Sequence, residues 1–269
     1  MTKSETIGAH ENAPEPTRLS NPYQLYRNPV PLDADEHRYK RLQPLTDYSI
    51  ANAMHASYVG IDEFAWAALE FVIMFVDTAV ENGGRAQVSP AVLLGMTPGE
   101  NLMVDGTRWL ARYVPAFIRR YPFWTTDTSD PNAAGVLVDA AWSGFSDNEG
   151  EALFERDGTP TPTLRTALEF INRFEAEALR TRAFCARLVE LDVLREMKAD
   201  ATLPNGQTLS VKGFYAIEEA ALRSLPESTV LELHRDGSLA MMYAHILSLA
   251  HLRPLIERKA QRVKPGPLT

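Results

Sequence analysis

Eighteen consecutive residues, Thr107 to Trp124, read T-R-W-L-A-R-Y-V-P-A-F-I-R-R-Y-P-F-W. They hold four arginines, six aromatics, two prolines and no acid, inside a chain of net charge −8. A guanidinium keeps its charge at any ordinary pH and pairs bidentately with carboxylates or phosphates. Rings between such groups supply stacking faces. The chemistry on offer is the gripping of an anion. The candidate ligand-binding residues are Arg108, Trp109, Arg112, Tyr113, Arg119, Arg120 and Tyr121, with Glu70 and Asp105 as possible acidic partners. Three readings stay open. The arginines could pair with internal acids such as Glu70, Asp105 and Asp139 while Trp109, Tyr113, Phe117 and Phe123 fill the core. They could bind an anionic small molecule. They could form a docking surface for an acidic protein segment, since Arg, Tyr and Trp dominate interface hot spots. Arg119 and Arg120 are adjacent and so diverge, leaving one of them to face a site. On the ligand reading Arg119 or Arg120 is the clamp, Trp109 and Tyr113 are the walls, and Arg120→Ala abolishes binding with little loss of stability.

Other motifs fall short of a named chemistry. His234-Arg-Asp236 has the His-x-Asp pair of an iron facial triad, but His245 and His251 follow too closely to complete one. Followed by Gly237, it reads as a helix end. His245, in a stretch rich in Met and Leu, reads as a core histidine. His37 and His55 are isolated, and no His/Cys spacing fits zinc. Gly144-Phe-Ser146-Asp-Asn148 lacks the second glycine of a nucleophile elbow. Asp147-Asn-Glu-Gly150 lacks calcium-loop spacing. No phosphate-binding glycine loop is present. Neither metal nor cofactor is expected. The rival to a binding protein is an enzyme whose site combines Glu70, Asp105, Arg119 and His37.

The elements that must position these groups follow from pattern. A length of 269 residues with 45% hydrophobic and 23% charged content suits a soluble globular chain with a substantial core. The acidic balance argues against general nucleic-acid binding. One cysteine, Cys185, precludes an intrachain disulfide, fits a reducing compartment, and reads as buried and inert. No secretory leader is visible, and no apolar run reaches the roughly 20 residues of a membrane span. A cytoplasmic location is therefore expected.

Residues 1–20 read as a disordered tail, 21–256 as one domain and 257–269 as a basic tail. Asn21 to Leu32 reads as an extended arm pinned by Tyr23, Leu25, Tyr26 and Val30, and Asp33 to His37 as a turn or helix start. Strands are expected at Tyr48–Ala53, Phe71–Asp77, Ala91–Leu94, Asn101–Val104 and Val136–Asp139. Ile61–Leu69 reads as a short helix and Val114–Phe123 as a weak one. Three- and four-residue apolar spacing predicts a helix over Thr163–Met197, with Thr163 as N-cap. An Asn205-Gly206 hairpin follows, then helices at Ile217–Leu225, Ser228–His234 and Leu239–Leu252. The expected class is α+β, with a strand-rich N-terminal half packed against a helix-rich C-terminal half.

These segments resemble the bacterial SapC family over roughly residues 21–256. The likeness rests on Asn21-Pro-Tyr, Val30-Pro-Leu, His37, Glu70-Phe71, Phe75-Val76, Leu93-Leu-Gly95, Glu100-Asn-Leu and Val104. It runs on through Arg108-Trp109 and Tyr113-Val-Pro-Ala-Phe-Ile-Arg-Arg-Tyr-Pro-Phe123, then Leu153-Phe154, Asp157-Gly158, Gly213-Phe-Tyr215, Tyr243-Ala-His245 and Ser248-Leu249. Val72 and Met103 depart from the expected proline and phenylalanine, a matter of packing. The resemblance implies an association with surface-layer assembly and brings no catalytic residues. Three functions are thereby carried forward: a non-catalytic accessory protein holding an anionic ligand or acidic segment, an enzyme of unassigned reaction, and a structural surface-layer protein, which would form large homo-oligomers.

Overall fold

The computed structural model describes residues 25–78, 87–125, 135–203, 205–206 and 208–263. Tyr23, the 1–20 segment and the far end of the basic tail lie outside them. In chain order the first strands are β1 (Pro29–Pro31), β2 (Arg41–Leu42) and β3 (Ala56–Tyr58). A one-turn helix α1 (Phe64–Ala67) leads into β4 (Val72–Thr78) and β5 (Gln87–Leu93). The hairpin β6 (Val104–Asp105)–β7 (Arg108–Trp109) precedes one turn of helix, α2 (Ala116–Arg119), and β8 (Phe123–Thr125). Then come β9 (Val136–Asp139), β10 (Phe145–Ser146), β11 (Glu151–Ala152) and the long helix α3 (Pro162–Glu190). The chain continues through the hairpin β12 (Leu194–Thr202)–β13 (Thr208–Ile217) to α4 (Glu219–Arg223), α5 (Glu227–Arg235), α6 (Ser238–Ser248) and α7 (Leu252–Arg262). The class is α+β, strand-rich first and helix-rich second, and the β12–β13 hairpin returns to the sheet of the first half.

That sheet has five strands in the order β12-β13-β4-β5-β3, antiparallel throughout. Val72 to Val76 are all buried, as a central strand covered on both faces requires. β5 carries Pro90, opposite Phe75 of β4. A proline cannot donate to a ladder and is confined to open edges. β3 is only three residues long and pairs with Ala91–Leu93 alone. The Val59 amide still reaches Pro90 O at 3.3 Å, and among the described residues the start of β5, Gln87–Ser89, has no strand paired on that side; α3 packs against β5.

α3 begins where Thr161, not Thr163, accepts the Leu164 amide through its hydroxyl, with Pro162 in the first turn. It stops short of Met197 because Asp192 takes a left-handed conformation (φ 50°). The Asp192 amide then reaches Val189 O at 3.2 Å and the Val193 amide reaches Leu188 O at 3.4 Å, the paired bonds of a Schellman stop. Leu179, an apolar residue within this helix, is 62% exposed. Two other expectations shift. Tyr48–Ala51 is a 3-10 turn because the Asp47 carboxylate accepts the Ser49 amide at 2.8 Å. Of Asn101–Val104 only Val104 joins a strand, since the Asn101 side chain bonds the Met103 amide and Ala51 O.

The arm is seated by buried Leu25 and Tyr26 and pairs through β1 with β9. A second apolar cluster, with Phe123, Val138, Phe145, Leu153, Leu164 and Ile171, lies under it. α6 and α7, joined by a 3-10 turn, form one helical stretch, Ser238–Arg262. By length and composition alone, with mean hydropathy 1.3 in its most apolar window, it passes for a membrane span, a segment the sequence patterning had divided. It also buries Met242, His245, Ser248 and Leu255. Its basic end is docked: Lys259 meets Glu100 at 2.6 Å and Arg262 donates to Val104 O at 2.6 Å.

His245 is the core histidine the sequence suggests. It is fully buried against Phe75, and its Nε2 accepts the Ile217 amide at 3.0 Å. Burial pushes its pKa down to about 3. The folded value lies below the unfolded one of about 6.5, so its contribution to stability is complete above that pH and is lost as pH falls towards 3. Urea titrations should show a loss of about 2 kcal/mol between pH 7 and pH 5 from this group, at about 1.4 kcal/mol per pH unit. A flat profile across that window would mean the imidazole is not held neutral.

Candidate functional site

The arginines of the Arg/aromatic segment go to different places. The β6–β7 turn is closed by Gly106 at φ 61° and turns Arg108 outward, where it sits 3.7 Å from Asp105 with both side chains largely exposed. Such a pair contributes little. Trp109 points inward, donates from Nε1 to Tyr113 O at 2.8 Å, and packs against Tyr48 and Phe71. Among the described residues Glu70 bonds no guanidinium. Its carboxylate accepts the amides of Arg112 and Tyr113 at 2.8–2.9 Å, and Arg112 projects into solvent. Tyr121 is buried and donates to Asp139 at 2.8 Å. Asp139 also accepts the amides of Arg27, Asn28 and Ala141. Burial opposes its ionisation, but these bonds outweigh burial and hold its carboxyl below the usual range. Arg120 is buried between the rings of Phe117 and Phe174, 4.5 and 4.6 Å from their centres, with Glu175 at 3.7 Å. The seven residues therefore do not share a pocket.

Arg119 does enter one. A cleft of about 330 Å³ lies between the chain around α2 and the middle of α3, lined by Tyr58, Gly60, Asp62, Glu63, Ala116, Arg119, Phe170, Arg173, Phe174 and Glu177. The Arg119 Nε donates to Val114 O at 2.9 Å and a terminal nitrogen to the Tyr113 hydroxyl at 3.3 Å. Its guanidinium lies over Tyr113 and Phe170. Tyr113 in turn donates to Glu63 at 2.6 Å, and burial, then the Glu63 charge, raises its pKa. Glu63 is buried and also accepts the amides of Gly60 and Ala116. Glu177 accepts the Asp62 amide at 2.9 Å and pairs with Arg180 at 3.0 Å; burial and then Asp62 raise its pKa. The cleft's carboxylates are thus committed. Its two arginines are not: among the described residues neither Arg119 nor Arg173 has a carboxylate in ion-pair range.

The alternative constellation of Glu70, Asp105, Arg119 and His37 is not assembled. His37 is buried in the turn it forms with Asp33 and packs on Phe145. Of the four, only Arg119 lines the cleft. His234-Arg-Asp236 closes α5, with Gly237 left-handed at φ 83°. Among the described residues no three His, Cys, Asp or Glu side chains are grouped to hold a metal ion. Burial raises the Cys185 pKa to about 12, which leaves it a thiol. Tyr58, Glu63, Phe170, Arg173 and Glu177 escape sequence reasoning. The available signal was Phe170, Arg173, Phe174 and Glu177 at three- and four-residue spacing, one mixed face of α3 beside its apolar stripe.

Gly95, within one of the quoted motifs, packs so closely on the Glu100 carbonyl that a Cβ would come within 2.1 Å of its oxygen. The motif is thus the seat of the loop that α7 docks on. A family model, SapC, matches residues 32–255. No curated protein and no solved structure is significantly similar to the chain.

Proposed function

This chain belongs to the SapC family, and on that premise we propose that it is a non-catalytic accessory protein of the cytoplasm that holds an anionic small molecule. The site is the cleft of Arg119 and Arg173. The observation that carries the reading is the orientation of Arg119: it is braced by Val114 O and Tyr113, flanked by two rings, and has no carboxylate in ion-pair range among the described residues. Isolated positive charge braced in that way favours a carboxylate or phosphate arriving from outside. A binding role is favoured over catalysis because Glu63 and Glu177 are already engaged and Cys185 is held as the thiol.

The test is calorimetric titration at low salt with benzoate and with inorganic phosphate, comparing the wild type with the double variant Arg119→Ala/Arg173→Ala. Both side chains are exposed, so the variant should keep its melting temperature within a few degrees. At least one probe should bind the wild type and lose tenfold or more in the variant. Equal affinity in both proteins would remove the site.

A further inference from the structure

A second cavity adjoins the cleft. It has a volume of about 550 Å³ and runs between α3 and the open half of β5, with Val88, Pro90, Ala178, Cys185, Ala186 and Val189 among its walls. The two cavities share a wall residue, Tyr58. They also follow one another along α3, the first using Phe170 to Glu177 and the second Ala178 to Glu190. At 1.5 Å per residue, about 18 Å of helix separates Arg173 from Cys185. The Tyr58 hydroxyl at the junction is sealed from solvent beside the Thr181 hydroxyl, which also accepts the Ile61 amide at 3.1 Å.

The second cavity owes its existence to the fold. β3 ends at Tyr58, the pairing stops after the Val59 amide meets Pro90 O because Pro90 has no amide to give back, and α3 packs against β5 there. Its walls are mostly apolar, whereas the adjoining cleft presents two guanidiniums that have no carboxylate in ion-pair range among the described residues. Charge at one end and an apolar trough at the other describe a molecule with the same polarity along its length.

We propose that the ligand is an anionic amphiphile, an alkyl or aryl-alkyl carboxylate whose head meets Arg119 and Arg173, whose body runs along Tyr58, the wall common to both cavities, and whose tail fills the trough between α3 and β5. This deepens, and rests on, the anion-binding reading above. Each methylene that enters the trough should raise affinity about fourfold.

The experiment titrates the full-length protein with butyrate, hexanoate, octanoate and decanoate. The wild type should bind with affinity that climbs along the series. Ala186→Trp, an exposed position on the trough wall, should flatten the climb while leaving butyrate unchanged. Arg119→Ala/Arg173→Ala should weaken every member by a similar factor. Binding that depends on the two arginines but not on chain length would overturn the amphiphile and spare the anion site. A climb that survives in the double arginine variant would overturn both. If Arg182→Ala, a residue of the trough itself, removes binding in place of the pair, the head lies in the trough and the proposal fails.

Discussion

Replacing Asp139 by alanine is expected to destabilise the protein by at least about 3 kcal/mol. The carboxylate is completely buried and receives four donors: the amides of Arg27, Asn28 and Ala141, and the Tyr121 hydroxyl, at 2.8–3.1 Å. Alanine would take the acceptor from one buried donor, the Tyr121 hydroxyl, and from three part-buried amides, and a buried unpaired donor costs on the order of 1–3 kcal/mol. The loss would fall on the arm, because Arg27 and Asn28 precede β1, which pairs with β9. Tyr121→Phe removes only one donor and leaves the carboxylate three amides, so about 1 kcal/mol is expected. Urea denaturation at pH 7 checks both. Because the folded pKa of Asp139 is depressed, this contribution is present above the unfolded value of about 3.9 and fades as pH falls through the folded one. A loss below about 1 kcal/mol for the alanine variant would mean the arm is held by its apolar contacts alone.

Arg120 carries the second large effect, and its direction reverses the expectation drawn from sequence. Its side chain is 5% exposed, lies between two rings, and leaves Nε buried without a partner. Arg120→Ala would empty that slot and should cost about 3 kcal/mol, a packing loss more than a charge loss. Arg120→Met should cost far less, because an apolar chain of similar length fills the slot without the desolvation penalty of a buried cation. Glu175 is 45% exposed and can turn to solvent in either variant. Thermal and urea unfolding of the two variants give the comparison. If methionine is as damaging as alanine, the charge itself holds the site together. Affinity for benzoate should respond less to either change than to loss of Arg119 and Arg173.

Much of the architecture could be read from residues in line. The central strand, the start of the long helix, the Asn-Gly turn and the helix end at Gly237 are local matters of period, cap and turn, and they stand where pattern places them; the long helix ends at Glu190 instead of Met197, and the hairpin strands, β12 from Leu194 and β13 to Ile217, run longer than expected. The misplacements have local causes too. The Asp47 and Asn101 side chains compete with strand ladders, and a left-handed Asp192 cuts the helix early. The site was only half legible. The acid-free run of arginine and rings marked the right segment, yet the element that completes the cleft, α3, begins 38 residues after Trp124.

By itself the sequence determined the fold class, the family and the presence of concentrated positive charge, because period, motif and composition are properties of neighbouring residues. Only the tertiary structure decided what each charge does. Adjacent side chains on one helical turn point apart, so Arg120 entered the interior, Arg119 met the cleft, and Glu70 was spent on backbone amides. Whether a guanidinium finds a carboxylate depends on which distant segments fold against it, and that distance is not written along the chain.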